Sequence, residues 1–169
     1  MIQELEGHIS DQEIQAIVSI IKAQYRRYLS FMDSNQMQRL FRDEYAPHKR
    51  QHTVSWAISS AFPSGSNVLP GFQISCLKYG KGHTRPELTN NRVLLHILNQ
   101  STDFDAAYLK HYYQINTNIA EQEQVYCFIR FSVRKNMLKS VELCLPAQNG
   151  TIAKTETLLS TQELELLTA

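Results

Sequence analysis

The stretch from Val125 to Pro146 restricts the possible folds of this chain more than any other. Apolar side chains stand at every second position through Val125, Cys127, Ile129, Phe131 and Val133, and the alternation resumes at Val141, Leu143 and Leu145. Successive strand residues point to opposite faces, so each run builds one continuous apolar face. Between them, Arg134-Lys135-Asn136-Met137 is short enough to turn the chain back on itself, which predicts a β-hairpin. Pro146 ends the second strand because it has no N–H for a ladder. Tyr126 and Phe128 occupy the other face of the first strand, the pattern of a central strand covered on both sides.

Helices precede this hairpin. Ser10-Asp11-Gln12-Glu13 has the spacing of a capping box. Beyond it, Ile14, Ile17, Val18, Ile21, Tyr25, Tyr28, Leu29 and Met32 recur at steps of three and four, one apolar stripe on a long helix. Asp33-Ser34 breaks it, and Met37, Leu40, Phe41 and Tyr45 predict a second helix that stops before Pro47. A third is expected over Thr53–Phe62, where Val54, Ala57, Ile58 and Ala61 are in helical register.

Pro63-Ser64-Gly65-Ser66-Asn67 and Pro70-Gly71 are turn chemistry, and the chain changes character there. Phe72–Tyr79 reads as a strand and Gly80–Pro86 as a loop. Arg92–Leu98 suits a helix or a buried strand by composition; its length and its Asn brackets favour strand. Asp103–Ile115 reads as a helix capped by Thr102, with Phe104, Ala107, Tyr108, His111 and Ile115 on one face. After the hairpin, Thr151–Leu159 is expected to add an edge strand, and Ser160-Thr161-Gln162-Glu163 to cap a short last helix. The expected architecture is a single α+β domain over residues 1–169. A helical part (10–62) is followed by a sheet-containing part (72–169), with about four antiparallel strands and helices packed on the sheet.

Composition narrows function by exclusion. The 169 residues are enough to bury a core without covalent staples, and the 43% hydrophobic and 20% charged fractions are those of a globular protein. A net charge of +1 provides no global field for nucleic acid or anionic membrane. The acidic start, Met-Ile-Gln-Glu-Leu-Glu, is unlike a secretory signal, and no stretch approaches the ~20 apolar residues of a membrane span. Cys76, Cys127 and Cys144 lie in strand-like runs without metal or redox spacing, which suits buried thiols in a reducing cytoplasm.

No motif for catalysis stands out. His48 and His52 have the four-residue spacing of two helical metal ligands, but Pro47 precedes them and no third ligand is near, so no metal and no cofactor is expected. Cys76 with His83 has the residue types of a nucleophile and base, yet Cys76 shares an apolar face with Phe72 and Ile74. His96, set among Val93, Leu94, Leu95, Ile97 and Leu98, reads as a hydrogen-bonded core histidine, and His111 likewise. Gly80-Lys81-Gly82 lacks the spacing of a phosphate loop.

Charge distribution is more informative. Between Arg42 and Arg92, seven Lys and Arg face three Asp and Glu, a local excess of +4 in a nearly neutral chain. Lys49, Arg50, His52, Lys78, Lys81, His83, Arg85 and Arg92 are therefore the expected binding residues, with Trp56 as an aromatic anchor. The plainer alternative is a solvated face that happens to be basic, with Trp56 in the core. The functional expectation is a non-enzymatic cytoplasmic module that docks a protein or a nucleic acid, with no membrane partner. The competing expectation is a small enzyme whose discontinuous site gathers His52, His83, Arg85 and Glu87.

Overall fold

The long N-terminal helix forms where its cap and its stripe agree. Ser10 donates its backbone N–H to Glu13 Oε2 at 2.7 Å and its Oγ accepts from Glu13 N at 3.2 Å, the reciprocal bonds of a capping box. The computed structural model describes residues 2–32, 47–79, 83–100, 106–116, 124–134 and 137–167, and in it this helix, α1, runs Asp11–Met32. Its stripe of Ile14, Ile17, Val18, Ile21, Tyr25 and Tyr28 is buried. Helix α2, Pro47–Ser59, begins at Pro47 and not at Thr53. Proline suits a first helical position, where its missing N–H has no intrahelical partner to lose. Tyr28 Oη meets Thr53 Oγ1 at 3.5 Å and Gln24 Nε2 donates to Ser60 Oγ at 3.1 Å, so α1 and α2 run antiparallel. The helix expected across Met37–Tyr45 lies outside the described residues.

Among the described residues the sheet has six strands in sequential order, not about four. They are β1 Gln73–Tyr79, β2 His83–Thr89, β3 Val93–Asn99, β4 Val125–Arg134, β5 Met137–Pro146 and β6 Ile152–Leu159. The expectation of a purely antiparallel sheet is also corrected, because β3 and β4 pair in parallel, Val93 with Val125 through Asn99 with Phe131. A hairpin loop cannot join parallel strands; the connection here carries helix α3, Ala106–Asn116, as a parallel crossover requires. The segment expected as loop, Gly80–Pro86, belongs in part to β2. Its Pro86 pairs with Cys76 of β1, and the β2–β3 pairing stops at Glu87, just before the residue with no N–H to extend it.

Parity along β4 assigns the layers. Val125, Cys127, Ile129 and Phe131 join the core beneath α1 and α2, whereas Tyr126 and Phe128 join a second cluster with Leu109 of α3. The central strand is thus covered on both sides, as its sequence implied. Ser160 and Glu163 form the second capping box and open helix α4, Thr161–Glu165, which packs Leu164 into the main core.

One turn sets how closely α3 approaches the sheet. Gly150, between β5 and β6, has φ +81, and a Cβ there would stand 2.5 Å from the carbonyl oxygen of Ala106, the first residue of α3. Left-handed backbone costs an L-residue roughly 1–2 kcal/mol before that clash is counted. Gly150→Ala is therefore expected to cost about 2 kcal/mol. Urea unfolding with an unchanged midpoint would show that α3 yields freely at this contact.

Candidate functional site

The sequence-predicted basic residues are distributed over several elements. Lys49, Arg50 and His52 belong to α2, and Lys78 and His83 to the facing ends of β1 and β2, where Tyr79 pairs with His83. The side chains of these five, and Lys81 altogether, lie outside the described residues. Arg92 sits in the β2–β3 turn, half exposed, and pairs through Nη2 with Glu13 Oε1 at 3.0 Å at the start of α1. An open hollow of about 580 Å³ lies beside it, lined also by Gln73, Thr89 and Asn90. Trp56 lies about one turn beyond Thr53 on α2, and Thr53 meets Tyr28 toward the other end of α1, about 20 Å away at 1.5 Å per helical residue.

Two of the expectations are corrected by burial. Arg85 is only 1% exposed and is not a loop charge, because strand β2 points it to the α3 side of the sheet, where its guanidinium lies over the Tyr108 ring at 4.7 Å. Its aliphatic stem and flat, weakly hydrated head suit such a place. His111, expected on an apolar face, is exposed. Trp56, in contrast, is 72% exposed and does not belong to the core.

What surrounds Arg85 is a polar cluster between α3 and the sheet. The β2–β3 register sets Glu87 opposite His96, and Nε2 of His96 donates to Glu87 Oε2 at 2.9 Å. Ser75 of β1 donates to the other carboxylate oxygen at 3.0 Å. A carboxylate only accepts, so the ring proton is on Nε2 and the bare Nδ1 accepts from the Tyr108 hydroxyl of α3. Tyr126 of β4 adds its hydroxyl 3.3 Å from the same Nδ1, and its ring stacks on Tyr112 at 4.4 Å.

The charge states follow from these surroundings. Burial lowers the His96 pKa below its ordinary 6.5, with Arg85 acting the same way and Glu87 opposing. The His96 hydrogen bond holds the Glu87 carboxyl below its ordinary 4.5. Burial raises the Tyr108 and Tyr126 phenols, so both stay protonated as donors. A neutral imidazole, an ionised carboxylate and two phenols thus form one chain from β1 to α3. It ties the helix to the sheet through hydrogen bonds that an apolar contact would not orient.

Sequence reasoning named Arg85 and Glu87 together, with His52 and His83, but set His96 apart as a core histidine and so did not join it to them. The visible signal was the four-residue spacing of Tyr108 and Tyr112, which puts two phenols on one helical face; the missing one was the register that brings Glu87 to His96. Burial also pushes the Cys127 thiol far up and the Cys144 thiol up to about 11, so neither is a nucleophile near neutrality. Among the described residues no three His, Cys, Asp or Glu side chains stand close enough to hold a metal, and no helix is long and apolar enough to cross a membrane. No protein-family model matches the sequence, and no curated protein or solved structure matches it.

Proposed function

We propose that the protein is a non-enzymatic binding module that docks a protein partner on the α1–α2 face, with Trp56 as the anchor. The observation that carries this reading is the 72% exposure of Trp56 on a helix whose neighbouring residues, Val54, Ala57 and Ile58, are buried. An indole in water on an ordered helix forgoes the burial that its size would otherwise gain, and tryptophan is a typical interface hot spot. Phe31, at the last turn of the adjacent α1, is 56% exposed. Lys49 and His52 stand seven and four residues before Trp56 on the same helix, and Arg26 and Arg27 are exposed on α1. A partner segment with an apolar anchor and flanking carboxylates suits that combination. The small net charge of +1 disfavours nucleic acid, whose binders are strongly basic.

An enzyme built on Arg85, Glu87 and His96 has weaker support. A general base must reach its substrate, and both ring nitrogens of His96 are engaged while the ring is 0% exposed.

Trp56 is the only tryptophan in the chain, so its emission reports directly on this face. Peptides selected on the immobilised protein from a random display library are expected to carry Asp or Glu around an apolar anchor and to shift the emission to the blue. Trp56→Ala is expected to keep the wild-type melting temperature and to weaken those peptides about 30-fold, a hot-spot loss of ~2 kcal/mol. Full affinity in Trp56→Ala would move the function elsewhere. Quenching by a single-stranded thymidine oligonucleotide, with no peptide response, would make nucleic acid the partner.

A further inference from the structure

We infer that β6 is a self-association edge, through which a second copy of this chain extends the sheet across a two-fold axis at Thr155. Strand order leaves β6 at one margin of the sheet, and among the described residues no strand pairs with its outer side. It is eight residues long, and Ala153, Lys154, Thr155 and Thr157 are exposed. An edge of this length presents a row of N–H and C=O groups to any strand that matches it.

What selects the partner is the order of side chains along the edge. Antiparallel pairing of one strand with its own copy across a two-fold axis perpendicular to the sheet must set some residue opposite itself. With Thr155 in that place, Lys154 of each copy lies opposite Glu156 of the other, Ala153 opposite Thr157, and Ile152 opposite Leu158. Two opposite-charge pairs then flank a Thr–Thr pair, all of them favourable cross-strand neighbours. A shift of the axis by one residue sets Lys154 against Lys154 or Glu156 against Glu156, which is repulsive. The charges that would ordinarily protect an edge from pairing therefore specify one register and one partner.

The other margin of the sheet offers nothing equivalent. Strand β1, Gln73–Tyr79, carries Lys78 as its only charged residue, so no register supplies an opposite charge. Within one chain Lys154 pairs with Glu4 of the 3₁₀ turn Gln3–Leu5. Both groups are substantially exposed, so releasing Glu4 costs Lys154 little; Glu156 likewise exchanges an existing contact for Lys154 of the second copy. The contact is a short ribbon of main-chain bonds with polar side chains, which makes the dimer concentration-dependent and weaker as salt rises.

Sedimentation velocity at rising concentration tests this directly. The wild type is expected to move from 19.5 kDa toward twice that mass. Lys154→Glu and Glu156→Lys, each alone, are expected to stay at 19.5 kDa, because each turns both cross-strand pairs into like charges. An equimolar mixture of the two single variants restores opposite charges in a heterodimer, and the doubled mass is expected to return. The double variant carrying both substitutions is expected to dimerise with itself, which also shows that neither change prevents folding. A wild type that stays monomeric throughout overturns the inference. So do single variants that dimerise like the wild type, or a mixture that fails to associate.

Discussion

Ile129→Ala is expected to lower the unfolding free energy by about 2–5 kcal/mol, the range for emptying a well-packed aliphatic site. Ile129 is fully buried in the centre of β4, opposite Ile97 of β3 and Leu143 of β5, and both neighbours belong to the same core under α1 and α2. Strands on both sides hold its backbone, so the site cannot collapse to fill the void. The loss therefore combines the missing transfer free energy with the cost of the cavity. Arg134→Ala, at the exposed end of the same strand, is the matched control, expected within about 0.5 kcal/mol of the wild type. Equal denaturation midpoints for the two variants would show that the apolar face of β4 does not pack where the fold puts it.

His96→Phe keeps a ring in place and removes both nitrogens. It is expected to cost about 2–5 kcal/mol, because Tyr108 loses its acceptor and Glu87 a donor, at roughly 1–3 kcal/mol for each buried polar group left without its partner. The Glu87 share falls toward the low end, since that carboxylate is partly exposed and keeps Ser75. The pH dependence distinguishes this account from a simple packing defect. The folded His96 pKa lies below the unfolded 6.5, so on acidification the unfolded chain binds the proton first. The stability that His96 contributes is complete above pH 6.5 and is lost as pH falls from 6.5 through the lowered folded value. Glu87 acts with the same sign over a lower window, from 4.5 downward, because its folded pKa is also depressed. The difference in stability between wild type and His96→Phe is therefore expected to shrink as pH falls below 6.5, while the other histidines cancel in the comparison. A difference independent of pH from 7.5 to 5 would mean that the imidazole is not held neutral by burial.

These two sites also separate what is written locally from what is not. The hairpin of β4 and β5, the stripe of α1 and the capping boxes at Ser10 and Ser160 were legible in the residues because each depends on spacing within a few positions. The strand at Val93–Asn99 was legible from its length and its Asn brackets, even though its composition also suits a helix. The parity of β4, with Ile129 on one face and Tyr126 on the other, was legible for the same reason.

Register and exposure were decided only by the tertiary structure. Glu87 meets His96 because β2 pairs with β3, and Tyr126 joins them because β3 and β4 run parallel, pairings between segments that no short window contains. Arg85 looked like a loop charge until pairing with β1 drew it into β2 and carried it under α3; Trp56 had both a core and a surface reading until α2 docked on α1 and left the indole in water. By itself the sequence determined where the chain alternates, coils and turns, since those preferences are set by neighbouring residues. Which faces are covered, and which polar groups meet beneath them, depended on long-range packing, where burial energy selects one arrangement among many with the same local pattern.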